Sequence, residues 1–170
     1  MVYEYPVRIM KRNIFLAAAA ALLLATASLA ADGALACALV TPGEIEALTG
    51  AKVEMKGVTV GTSNFCSART PTLGVMVRMA QRPAGAGDKE SAGITIARKM
   101  GAQIDIKKYG PITCSTIVPP KEKEVYGYNT TCSVAKGTTV AAIEVTTKTR
   151  ETMVPMMKMR ALAEKVAKRF

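Results

Sequence analysis

Four cysteines, Cys37, Cys66, Cys114 and Cys132, constrain the fold of this 170-residue chain more than any other feature. No two form a C-x-x-C pair, so neither a thioredoxin-type redox site nor a zinc knuckle is supported. How they are read depends on compartment. Met10-Lys11-Arg12-Asn13 precedes the apolar run Ile14 to Leu24 and the stretch Ala27-Ser28-Leu29-Ala30, which ends in a small-x-small pattern. A short basic head, an apolar core of this length and a small-residue cleavage site predict a secretory signal peptide over residues 1–30, with Met10 as the true start. The run is too short and wrongly flanked to span a membrane, and no other segment predicts a span. In an exported chain, an even cysteine count reads as two disulfides. Three pairings are open. Cys37–Cys66 and Cys114–Cys132 are favoured because each joins neighbours along the chain.

Cleavage after Ala30 leaves 140 residues, 31–170, enough for a single domain with its own core. The expected location is periplasmic or secreted. A lipid anchor at Cys37 is the alternative, since Ala34-Leu35-Ala36-Cys37 faintly resembles a lipobox. Against it, Asp32 and Gly33 separate Cys37 from the apolar core, and lipidation would leave an odd number of cysteines.

Thr41-Pro42-Gly43-Glu44 predicts a helix start with a capping box, Val40 and Ile45 its hydrophobic staple and Gly50 its stop. Val53 to Val60 reads as strand and Leu73 to Ala80 as a more buried strand. Pro83 to Gly87 is a loop. Asp88 to Met100 has helical spacing, with Gly101 as its stop. Ile104–Lys107, Ile112–Val118, Val125–Val134 and Thr138–Thr147 read as further strands. Pro119-Pro120 lies near the midpoint between Cys114 and Cys132, which suits a hairpin stapled across its arms. A last helix is expected from Met153 to Lys168, capped by Thr152, with Pro155 in its first turn.

Gly50-Ala51-Lys52-Val53-Glu54-Met55-Lys56 matches Gly101-Ala102-Gln103-Ile104-Asp105-Ile106-Lys107, and Asn64 to Ser67 matches Asn129 to Ser133 with one insertion. The expected fold is therefore α+β: a curved antiparallel sheet packed by N-terminal, middle and C-terminal helices, with a pseudo-duplicated α-β-β-β unit and two disulfides.

The chemistry is sparse. There is no histidine, which removes Ser-His-Asp and Cys-His activation and the commonest metal ligand. There is no tryptophan and few other aromatics, so base stacking, and with it nucleic acid, is not expected. No phosphate loop, dinucleotide fingerprint or nucleophile elbow occurs. Glu54 and Asp105 occupy matching points of the repeat and would form a carboxylate pair if they met. Met153 and Met157, four apart on the polar side of the last helix, are the one candidate soft-metal pair, for Cu(I). Met156, Met159, Leu162, Ala163, Val166 and Phe170 form its core stripe. No cofactor is expected.

The chain has 23 basic and 13 acidic residues; the expected mature segment keeps 20 and 12, a net charge of +8. That favours anionic envelope polymers or lipid head groups as partners, against the plain reading of a solvated basic surface. Lys158, Arg160, Lys165, Lys168 and Arg169 ring the last helix, where cations also complement the helix dipole.

From Cys37-Ala38-Leu39-Val40-Thr41 to Gly50 the sequence resembles small exported bacterial proteins and lipoproteins of unknown function that open with C-x-L-L-T-x-x-E. It is also similar in kind to the extracellular sensor domain of a mycobacterial serine/threonine kinase. The resemblance implies an antiparallel sheet packed by helices, two disulfides and an extracytoplasmic location, with no reaction to carry over. The leading reading is a non-catalytic periplasmic binding or accessory module. A methionine copper site and an enzyme with an unrecognised site are the alternatives.

Overall fold

The computed structural model describes residues 34–82 and 92–170. The signal peptide, its start at Met10, the 83–87 loop and the first turn of the expected middle helix lie outside the described residues. Two short helices, α1 (Ala34–Cys37) and α2 (Pro42–Thr49), precede strands β1 (Lys56–Val60), β2 (Ser63–Arg69) and β3 (Leu73–Gln81). Helix α3 (Ala92–Lys99) is followed by β4 (Gln103–Tyr109), β5 (Ile112–Val118), a 3-10 helix (Lys121–Tyr126), β6 (Tyr128–Lys136), β7 (Thr139–Thr147) and α4 (Met156–Ala167). The strands form one open antiparallel sheet in the order β1-β2-β3-β7-β6-β5-β4.

Period-two alternation divides the sheet into two faces. Leu73, Val75 and Val77 of β3 and Ala141, Ile143 and Val145 of β7 are buried on one face, while their neighbours Arg78 and Val140 stay exposed or half-buried on the other. Helix α4 packs over β5, β6 and β7, and α1 over β1, β2 and β3. Met159, Leu162, Ala163 and Val166 bury the α4 stripe in this core, with Met156 and Phe170 at its margin. The middle helix contributes little: α3 touches β4, buries no residue and leaves Ile96 57% exposed.

The centre of the sheet is a single transverse row. Cys66 stands opposite Val77, Val77 opposite Ile143, Ile143 opposite Cys132, and Cys132 opposite Cys114. Both expected disulfides form on it. Cys114–Cys132 joins directly opposed residues of β5 and β6, and Cys37–Cys66 pins α1 to β2. Ser115, Thr130 and Thr147 are the buried polar residues among those described, and Thr130 Oγ1 donates to Val154 O at 2.8 Å, which ties β6 to the approach of α4.

The strand order fits a duplicated unit, but the longer sequence match does not follow it. The strand order is symmetric about the β3–β7 pair, with β1-β2-β3 on one side and β7-β6-β5 on the other, which leaves β4 as an added edge. Cys66 and Cys132 occupy equivalent places in that arrangement. The longer match does not: Gly50–Lys56 ends where β1 begins, while Gly101–Lys107 runs into β4, the strand without a counterpart.

Three boundaries also differ. Residues 53–55 are not strand, because Val53 and Met55 turn inward to pack on the core instead of extending the ladder. Val125 belongs to the 3-10 helix and is 89% exposed. Helix α4 starts at Met156, with Pro155 extended before it at φ −60° and ψ 137°. A residue preceding proline is driven out of the α region, so Val154 cannot continue a helix begun at Met153. Thr152 caps nothing in α4; its hydroxyl donates to Thr149 O.

Candidate binding groove between α2 and α4

The capping box of α2 sets the first element of the site. Thr41 Oγ1 accepts from Glu44 N at 3.2 Å, and Glu44 Oε2 accepts from Thr41 N at 3.0 Å. The carboxylate thus fixed also receives Arg169 from beyond the end of α4, with Nη1 donating to Oε2 at 2.6 Å and Nη2 to Oε1 at 2.7 Å. Nη1 reaches Leu39 O as well, at 2.8 Å. This fork-on-fork pairing clasps the C-terminal end of the chain to the start of α2. Lys165 lies 3.6 Å from the same carboxylate and is 60% exposed.

A groove of about 470 Å³ opens beside the clasp. Helical spacing builds its walls: Gly43, Ala47 and Leu48 come from one face of α2, and Lys158, Ala161, Leu162 and Lys165 from one face of α4. The floor is apolar and small. Two lysines flank it seven residues apart, about 10 Å along the α4 axis. Among the described residues its one carboxylate, Glu44, is shared by Arg169 and Lys165, so the lining keeps a net positive charge. The groove is therefore suited to attracting anions over apolar surface.

The hydrogen bonds from Arg169, reinforced by the cap, hold the Glu44 carboxyl at about 2 against an ordinary 4.5. Its folded value is depressed, so the stabilisation is complete above about pH 4.5 and is lost as pH falls toward about 2. Arg169→Met is expected to lower the melting temperature at neutral pH and to flatten its acid dependence between those limits. Thermal melts across that range check this. Lys165→Met, at longer range and in solvent, should change the slope far less.

The other candidate residues are placed as follows. All four cysteines are in disulfides. Glu54 and Asp105 do not meet. Glu54 precedes β1 at one edge of the sheet and Asp105 sits on β4 at the other, six inter-strand steps or about 29 Å away. Each has a local lysine instead: Lys56 at 3.9 Å and Lys107 at 3.5 Å.

Met153 lies before α4, so the four-residue helical spacing to Met157 does not hold. It is Met156 that joins Met157: the Tyr109 hydroxyl donates to both sulfurs, at 3.9 and 3.8 Å, and Arg160 covers the Tyr109 ring at 4.3 Å. These thioethers sit at the positive end of α4, beside the ring that the Arg160 guanidinium covers, and Met157 is 59% exposed. Among the described residues no group of three or more His, Cys, Asp or Glu is arranged to hold a metal ion, and no helix is long and apolar enough to cross a membrane.

Sequence reasoning found the α4 cations but missed the clasp and the groove. Thr41-x-x-Glu44 and the Lys158-x-x-Ala161-Leu162-x-x-Lys165 spacing were the available signals; nothing local joins positions as distant as Glu44 and Arg169. Comparison with family models, with curated proteins and with solved structures found no match for this chain.

Proposed function

We propose that this chain is an exported, periplasmic or secreted binding or accessory module without catalytic activity that contacts anionic envelope components through the α2–α4 groove. The observation that carries the reading is the pair Lys158 and Lys165 over an apolar floor whose one carboxylate is already neutralised. The net charge of +8 on residues 31–170 adds long-range attraction to the same class of partner. Export is supported by the leader pattern ending at Ala30 and by two disulfides, a feature of oxidising compartments.

Hydrogen exchange locates the contact. With phosphatidylglycerol vesicles, protection is expected over residues 43–48 and 158–165, and none is expected with phosphatidylcholine. Protection confined to the open face of the sheet would remove the groove from this reading, and robust hydrolytic turnover by the purified protein would remove the non-catalytic part.

A further inference from the structure

A second cleft opens at the end of the sheet where β4 begins and β5 ends. Register builds its floor. Gln103 stands opposite Val118, the next step beyond Ile117–Asn129 sets Val118 beside Tyr128, and Tyr128 stands opposite Thr147. Residues of one transverse row point to one face, so an amide, an apolar side chain and a phenol lie side by side. Lys121 and Glu124 of the 3-10 helix form one wall, and Arg150 and Glu151 of the turn after β7 form the other. The cleft is open to solvent, and its volume of about 360 Å³ falls within the range of small-molecule sites.

Three devices fix the 3-10 wall. The buried Tyr128 donates its hydroxyl to Glu124 Oε1 at 2.9 Å, and that bond raises the phenol's pKa and keeps it a donor. Lys123 Nζ donates to Met100 O at 3.0 Å. Gly127, at φ 78°, lets the chain close onto β7; a Cβ there would fall 2.8 Å from Thr146 Cγ2 and 3.0 Å from Thr147 O.

The lining therefore presents two cations, Lys121 and Arg150, and two anions, Glu124 and Glu151. Among the described residues none of the four forms a salt bridge. A simple anion would meet both carboxylates, and a simple cation both bases. A ligand carrying both signs a few ångströms apart meets neither penalty. The geometry points to this cleft as a binding site for a small zwitterion that carries an ammonium and a carboxylate, whether a free α-amino acid or a short unblocked peptide. The site shares no residue with the α2–α4 groove and does not rest on that reading.

Calorimetric titration of the full chain with alanine, glutamate, lysine and alanylalanine tests it. At least one probe is expected to bind. N-acetylation or carboxyl amidation of that probe should weaken it by about tenfold or more, as should Arg150→Gln or Glu151→Gln. Both substituted side chains are exposed, so circular dichroism should be unchanged. Tighter binding by the amino acids or by the dipeptide identifies the source, and either supports the site. Failure of all four probes to bind, or binding unmoved by blocking or by both variants, overturns it.

Discussion

Replacing Cys37 and Cys66 together with alanine is expected to cost the fold about 3–4 kcal/mol. The bridge spans 29 residues, and closing a loop of that length restricts the unfolded chain by about this amount. The native state also depends on it. Helix α1 has four residues, too few to persist alone, and its bond to the fully buried Cys66 is what holds it over β2. The Cys114–Cys132 bridge spans 18 residues between strands already joined by a ladder, and its removal is expected to cost about 3 kcal/mol. Urea unfolding of the two double variants checks both the size and the ranking. A Cys37–Cys66 variant as stable as the parent would show that α1 is not part of the cooperative unit.

Ile143→Ala is expected to destabilise by about 2–5 kcal/mol. Ile143 is 1% exposed at the middle of the central strand, between Val77 and Cys132 in register and under the cover that α4 gives β7. Strands on both sides are paired and one is disulfide-linked, so the site has little freedom to collapse into the space left behind. Val140→Ala, on the same strand but the opposite face, should cost about 1 kcal/mol, because that half-buried side chain loses less apolar contact. Equal losses at the two positions would mean that the core does not lie on the helix-covered face.

Features set by neighbouring residues were legible in the sequence. The Thr41–Glu44 capping box, the stop at Gly50 and strand β5 from Ile112 to Val118 follow from local pattern and occur where expected. The cysteine pairing followed from chain proximity, because both bridges close short loops. The strand order was not legible, since β7 inserts between β3 and β6 through pairs such as Leu73–Thr147 that no local signal encodes. The start of α4 was misplaced because Thr152 has the chemistry of a cap, while the backbone restriction imposed by Pro155 outweighs it. The groove was half legible. The lysine spacing on α4 stands in the sequence, but its opposite wall on α2 depends on a fold-level contact between the two ends of the domain.

The claim that Lys158 and Lys165 form an anion-attracting surface is tested most directly by vesicle cosedimentation. The measurement compares the protein with the Lys158→Gln, Lys165→Gln double variant on phosphatidylglycerol vesicles at increasing salt. Each lysine near an anionic surface contributes about 1 kcal/mol, so the double variant is expected to bind about 30-fold more weakly, with a shallower salt dependence. Equal affinity for both proteins, or parent binding indifferent to salt, would contradict the assignment of the groove.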